Sequence, residues 1–419
     1  MGGGVGSVLM NWIENDTKNS HTVLCLNNNY HKTYDTNIVH ENMERQYPKI
    51  IEFINNSDIV VIHFWNHPLM YKFITICRLP PCRLCMWSHI SGFNAPYIFS
   101  NKLIAFSDRF IFASPISYNT TEIMNLPPDE KPKLGHIWTT GNIQEYSKVE
   151  PKAHTGFNIG FIGTLDYSKL HPNFIDFCSK IDIPDVKFII CGDGCDADKI
   201  KQQVKEKGLE DKFLFTGIIE DIKPYLSIID VFGYPLNPTH FGTCEQVLGE
   251  AIAAGVIPVV MRNPAEEYIL FQSLVRFICT NEQEYIHNIK LLYENKQHQN
   301  NLITLIQENI ASLYNSHNMV ESWNSVFREQ IKKPKENREW VMTKRRRKMG
   351  GAGVFLDSIG KHGTIFESND TEAIKNLFKS NLQWFSNSKG SPRQYLNTFP
   401  NDKHLRVWVN LLEELEQGE

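Results

Sequence analysis

The sequence predicts an α/β protein of two doubly wound domains facing a cleft, followed by a C-terminal extension. Three observations carry that prediction. Short β-branched runs alternate with amphipathic ones up to about residue 120, and the alternation restarts at residue 157. Between them lies a Pro-rich, irregular stretch, "NLPPDEKPKLGHIWTTGN" (125–142). Alternation of this kind gives parallel βαβ units covered on both faces, and a Pro/Gly-rich break reads as a hinge.

In the first region, "VGSVLMNWIEND" has helical apolar spacing and "HTVLCL" reads as a strand. "YPKIIEFINNS" is an amphipathic helix, "DIVVIHFW" a strand, and "CRLCMWSH" and "RFIFAS" two further buried strands. The second region runs strand ("FNIGFIGTL"), helix ("HPNFIDFCSKI"), strand ("VKFIICGDG") and helix ("DADKIKQQVKEKG"). It continues with strand "FLFTG", helix "DIKPYLSII", strand "DVFGYP", helix "EQVLGEAIAAG" and strand "VIPVV". From about residue 282 the chain turns helical and polar, and a basic run, "KRRRK", precedes a last segment with its own apolar residues. The expected domains are 1–150, 151–330 and 331–419, the last as a separate module.

Composition narrows the function. A net charge of −4 and a pI near 6.4 give no global attraction to nucleic acid. No run of about 18 apolar residues offers a membrane span. The opening "MGGGVGSVLMNW" lacks a basic n-region followed by an apolar h-region, so a cytoplasmic protein is expected. Nine cysteines in 419 residues are no disulfide framework. Cys25, Cys178, Cys191 and Cys279 read as reduced core thiols. Cys77, Cys82 and Cys85, and the pair Cys191 and Cys195, have partial metal-ligand spacing, but Cys82 and Cys85 would alternate faces of a strand. No metal is expected.

In open α/β sheets ligands sit at the carboxyl ends of strands, so the loops there are the candidate site. In the second domain these loops offer Gly163, Thr164 and Lys169; then Gly192, Asp193 and Gly194; then Gly217 and Ile218. The loop before "EQVLGEA" adds Gly242, Thr243 and Cys244, whose N–H groups are expected at a helix N-terminus, a ready anion site. Lys169 would supply the positive charge that a diphosphate needs. Glu250, deeper in that helix, suits a ribose diol, which presents two O–H donors to one carboxylate.

At these residues a resemblance becomes specific. "GEAIAAGVIPVV" resembles the signature of GT-B-fold glycosyltransferases, especially glycosyltransferase family 4, with "IGTLDYSKLHPNF", "CGDG", "FTG" and "DVFGYP" in the matching order. It covers residues 157–265 well, the first domain more weakly and the tail not at all. It implies two Rossmann-like domains, the first binding a hydroxyl acceptor such as a glycan or glycolipid and the second a nucleotide sugar. It also implies a metal-independent hexosyltransferase that retains anomeric configuration, the nucleotide sugar being its substrate and no cofactor being needed. Glu250 would bind the ribose, Lys169 the diphosphate, and His89 in "WSHISG" would meet the transferred sugar. Cell-surface glycan or glycolipid assembly is the usual setting of such enzymes.

Two positions depart from the family. Gly242 stands where a glutamate is usual, leaving Glu245 as the candidate sugar contact, and Thr164 stands where an arginine is usual. A nucleotide-sugar-binding protein without turnover, or a GT-B-fold epimerase, therefore stay open beside the transferase. Blander readings also stand next to the sharp ones. Glu245 can complement a helix dipole, Asp193 can cap a helix, and His63 and His67 in "IHFWNHP" read as packing and turn residues. Lys344, Arg345, Arg346, Arg347 and Lys348 form either a solvated run or a peripheral contact with anionic headgroups at the inner face of the membrane. Finally, "GGGVGSV" resembles the Gly-rich loop near the diphosphate in this fold. That loop ordinarily follows a central strand, so an upstream strand of roughly ten residues is expected before Met1.

Overall fold

A computed structural model describes residues 3–27, 38–270, 274–388 and 390–418. The chain forms two compact units. The first combines residues 1–139, 241–243 and 316–419; the second combines 140–240 and 244–315.

The first unit is built on four parallel strands, β1 (Val60–Phe64), β2 (Leu84–Ser88), β3 (Arg109–Phe112) and β4 (Leu134–His136), paired in that order. The period-2 geometry of β2 sorts its side chains. Leu84 and Met86 enter one core, with Phe110 and Phe112 of β3. Cys85 and Trp87 enter the other, with Ile111. The second core is closed by the helices Gly3–Asn15 and Ser316–Gln330. Their Trp12 and Trp323 stack at 4.8 Å, and Trp87 meets Trp12 edge-on at 5.4 Å.

The other face is covered largely by the C-terminal segment, which is not a separate module. Trp340, Phe355, Phe366, Phe378, Trp384, Tyr395 and Trp408 share one core with Phe64, Tyr71, Ile74 and Phe99. Strand Glu336–Arg338 pairs antiparallel with Leu79–Cys82, and Arg338 forms an ion pair with Asp108. The buried Asp357 accepts from Lys102, Arg346 and Trp340, each at 2.8 Å. The basic run is accordingly not uniform. Arg346 turns inward to Asp357 and bonds Glu367 through two nitrogens at 3.0 Å, and Arg345 donates to the Glu367 carbonyl. Lys344, Arg347 and Lys348 face outward.

Other expectations are corrected as well. The glycine cluster is not a loop: Gly3 opens a helix whose Val8, Leu9 and Trp12 follow the 3.6 period and are buried. "HTVLCL" contributes only Val23–Leu24, paired with Val39–His40 in a small sheet of its own. The hinge-like 125–142 stretch hides β4, so the division falls at 139/140 rather than at 150. The strand expected upstream of Met1 lies outside the described residues. Cys82 and Cys85 do enter different cores.

The second unit has six parallel strands: β5 (Phe157–Ile162), β6 (Val186–Cys191), β7 (Phe213–Gly217), β8 (Val231–Tyr234), β9 (Ile257–Met261) and β10 (Ile278–Cys279). They pair in the order β7-β6-β5-β8-β9-β10. Strands such as "IGFI" and "IPVV" are continuously apolar because both faces are covered. The order reverses between β5 and β8, the point at which a doubly wound sheet leaves a crevice for ligands.

Candidate active site

The loops leaving β5 and β8 are tied to each other. The Asn237 N–H donates to the Lys169 carbonyl at 2.7 Å, the Asn237 amide to the Tyr167 carbonyl at 2.8 Å, and the His171 N–H to Pro235 O at 2.9 Å. Lys169 itself ends a turn closed by Asp166, whose carbonyl accepts its N–H at 2.8 Å. This strapping aims the Lys169 ammonium at the end of β8. It lies 3.1 Å from the Glu245 carboxylate and 5.6 Å from the Tyr234 ring centroid.

Glu245 is the hub of a buried polar cluster. The Tyr234 hydroxyl donates to it at 2.7 Å, and His240 Nδ1 lies 3.9 Å away. Burial pushes the Glu245 carboxyl upward, but Lys169, His240 and the Tyr234 hydroxyl outweigh it and hold the pKa at about 2. Behind it, His240 Nε2 lies 3.2 Å from the fully buried Glu266, whose pKa is raised, first by burial, against the pull of His240. The ligating atoms of His240, Glu245 and Glu266 fall within 4.8 Å of one another, as do those of Asp166, Cys195 and Asp196. In the first group the Lys169 ammonium already serves as the cation.

Glu250 stands apart. It lies on the helix Gln246–Ala253, half-buried, with no hydrogen-bond or ion-pair partner among the described residues. Burial raises its pKa to about 7. The Tyr146 hydroxyl is pushed upward mainly by its own burial and next by the Glu250 charge.

The glycine loops are placed as expected at the strand ends. Gly192, at φ 143, passes so close to Gly163 that a Cβ would lie 1.9 Å from the Gly163 carbonyl oxygen. Its N–H donates to Gly217 O at 2.9 Å. A side chain at Gly192 would therefore force the two loops apart. The Asp193 carboxylate accepts from Gly194 N–H at 2.8 Å rather than capping the next helix, whose N-cap position is Asp196. Thr164 and Ile218 are exposed.

The expected anion turn is displaced. The helix begins at Gln246, so Gly242, Thr243 and Cys244 precede its N-terminus, and Glu245 occupies the N-cap position. The Cys244 carbonyl accepts from the Tyr314 hydroxyl at 2.6 Å. Residues 241–243 belong to the first unit, where Phe241 O accepts from Ser91 N–H and the Phe241 ring lies 4.7 Å from Tyr97.

His89 also lies in the first unit, just past β2, bonded to His63. His67 is the N-cap of helix Pro68–Ile76, its Nδ1 accepting from Leu69 N–H at 3.1 Å, which fits the turn reading. Sequence reasoning missed Tyr234, His240, Glu266 and Tyr146. Tyr234 ends a strand beside the site, a position that marks it. The His240–Glu266 contact spans 26 residues and has no local signature.

Two Rossmann-like units, the second with its ionic cluster at the switch point of a six-stranded parallel sheet, define the GT-B class of glycosyltransferase fold. More particularly, residues 142–308 match the family model described as "Glycosyl transferases group 1", which is most of the second unit. A 2-deoxystreptamine N-acetyl-D-glucosaminyltransferase of Niallia circulans is 31% identical over 107 residues, 25% of this chain. That match spans only 26% of the relative's length. Among solved structures, a glycosyltransferase from Rickettsia africae superposes with a TM-score of 0.61 at 12% identity, over 78% of this chain and 94% of that one. Anabaena HepE in complex with UDP-glucose gives 0.54 at 16% identity, over 67% and 81%. At these identities the structural likeness concerns fold. No described helix is long and apolar enough to cross a membrane.

Proposed function

We propose that the protein is a hexosyltransferase that moves a sugar from a nucleotide-sugar donor to a hydroxyl acceptor, with retention and without a metal. The observation that carries this reading is Glu250: a half-buried carboxylate without a partner among the described residues, on the helix whose N-cap, Glu245, pairs with Lys169. A carboxylate in that condition suits a ligand with two O–H donors, and a ribose diol has them. Lys169 is then the cation for the leaving diphosphate, since transfer depends more on stabilising developing charge than on a strong base. Glu245 holds Lys169 in place before the donor arrives and contacts the sugar afterwards. Gly163, Thr164, Gly192, Gly217 and Ile218 offer backbone to the nucleotide. His89 of the first unit orients the transferred sugar.

The acceptor is a glycan, a glycolipid or another hydroxyl compound in cell-surface glycan assembly, handled in the cytoplasm. The Niallia relative suggests N-acetylglucosamine as the first sugar to try. Peripheral contact with anionic lipid is assigned to Lys344, Arg347 and Lys348 alone.

The test is incubation with UDP-, GDP- and ADP-sugars, with and without EDTA, following nucleoside diphosphate release. Release that survives EDTA supports the proposal. Binding without release identifies a nucleotide-sugar-binding protein, the reading favoured by Thr164 and Gly242, and an isomerised donor identifies an epimerase.

A further inference from the structure

Given the assignment of His89 above, we propose that His63 is a positioning residue that fixes the ring plane of His89, leaving Nδ1 as the only ring nitrogen that His89 can offer to the sugar. His63 lies on β1, and in the parallel register with β2 it pairs with Trp87, so its side chain rises on the same face as those of Trp87 and His89. The His89 N–H donates to Phe64 O at 2.8 Å, which extends the ladder one residue past β2 and anchors the His89 backbone. His63 Nδ1 and His89 Nε2 are 3.0 Å apart, and the two rings are within 2° of parallel. Two imidazole nitrogens at that distance share one proton, one ring donating and the other accepting. His89 Nε2 is thereby consumed.

The pair is held from several sides. The Trp87 ring lies 5.4 Å from His63 and 5.0 Å from His89, and Trp12 lies 6.3 Å from His63. Burial lowers both imidazoles, His63 to about 4, so both rings are neutral near pH 7 and the bond between them is N–H···N. A free histidine flips and exchanges tautomers. One bonded at Nε2 and packed on Trp87 presents the same nitrogen, Nδ1, in the same orientation at every encounter.

The side chain that replaces His63 separates this role from packing. Asparagine places an amide near the Nδ1 position and keeps the bond; glutamine reaches toward Nε2 instead; phenylalanine keeps the ring and removes the nitrogens. With nucleoside diphosphate release from a donor that the parent turns over, His63→Phe and His63→Gln should lower kcat roughly 10–100-fold, as loss of an orienting partner does. His63→Asn should retain most of the activity. The donor KM and the UDP dissociation constant should change less than about twofold in all three, on the view that uniform binding is untouched. Nitrogen-15 spectra of the imidazoles should show a hydrogen-bonded His89 Nε2 in the parent and in His63→Asn, and not in His63→Phe. Parental kcat in His63→Phe overturns the proposal, and so does a His63→Asn variant as slow as His63→Phe. Should His63→Phe fail to fold, the Asn and Gln variants at matched melting temperatures decide alone. Parental kcat in His89→Ala would instead overturn the assignment of His89 itself.

Discussion

The two units bury polar side chains in opposite ways. In the first, His63 and His89 sit among tryptophans as a neutral pair joined by one bond. In the second, Lys169, Glu245, His240 and Glu266 form an ionic cluster around the Tyr234 hydroxyl. A neutral N–H···N bond needs no counter-charge and is compatible with an aromatic wall. A buried carboxylate needs a cation and further donors, and Glu245 has both. The units also differ in how they close. The second is nearly continuous in sequence, whereas the first is completed by residues 316–419. The first unit is thus fragile toward loss of distant sequence, and the second toward loss of a single charge.

Truncation after Arg338 gives the largest expected effect. It removes Trp340, Phe355, Phe366, Trp384 and Trp408 from the core that contains Phe64 and Phe99. The first unit should lose its protection from proteolysis and amide exchange. The point version, Trp384→Ala, should cost about 3–5 kcal/mol in denaturant unfolding. A truncated protein with an intact first unit would erase this half of the contrast.

Next is Lys169→Ala. Leaving Glu245 buried without its cation should destabilise the protein by about 3–5 kcal/mol, and loss of the diphosphate charge should lower kcat roughly 10²–10³-fold. The double variant Lys169→Met, Glu245→Gln should recover most of the stability and none of the activity. The pair also carries a pH signature. Glu245 is held at about 2 against an ordinary value of 4.5, so its contribution is complete above pH 4.5 and is lost as the pH falls toward 2. Acid unfolding of the parent and of the double variant should diverge only in that window.

How much of this was legible depended on range. The β5 to β9 strands were legible because buried parallel strands are largely apolar, and the placement of Lys169 in a loop and Glu250 in a helix because each is set by local sequence. β4 was hidden by the prolines around it, and β10 by being two residues long. The helix start was expected at Glu245, one residue before Gln246, and the 242–244 N–H groups were expected at its N-terminus, whereas the hydroxyl of Tyr314, seventy residues away, bonds the Cys244 carbonyl ahead of it. The aromatic residues of the tail announced burial but not their partner. His63 was read as packing because a hydrogen bond between adjacent strands leaves no trace in local sequence.

Glu250→Gln sharpens the contrast from the other side, because Glu250 has no counter-charge among the described residues. Loss of a charge-assisted diol contact should weaken nucleotide binding by about 1.5–3 kcal/mol in calorimetry, roughly 10–150-fold. With the pKa raised from 4.5 to about 7, the folded protein holds an extra proton between those values, so stability falls as the pH rises through that window. Glu250→Gln should therefore raise the melting temperature at pH 8 and leave it unchanged at pH 4. The parent should bind nucleotide more tightly as the pH rises toward and through 7, with proton release on binding. Affinity independent of pH between 5 and 8 would remove Glu250 from the site.

The smallest effects fall within the basic run, where the same contrast recurs over five residues. Arg346 satisfies Asp357 and Glu367, and Arg346→Met should destabilise the first unit by about 3 kcal/mol or more because it leaves a buried Asp357 with fewer donors. Lys344, Arg347 and Lys348 are exposed and have no hydrogen-bond or ion-pair partner among the described residues, apart from their helix backbone. Changing all three to glutamine should move stability by about 0.5 kcal/mol or less, the usual range for surface positions. Their charge can still act at a distance. If they touch anionic headgroups, each contributes about 1 kcal/mol, so the triple variant should lose binding to vesicles containing phosphatidylserine while keeping turnover of a soluble donor. Parent and triple variant floating equally, or neither floating, would leave the outward residues as solvated charge and Arg346 as the one member of the run that the fold requires.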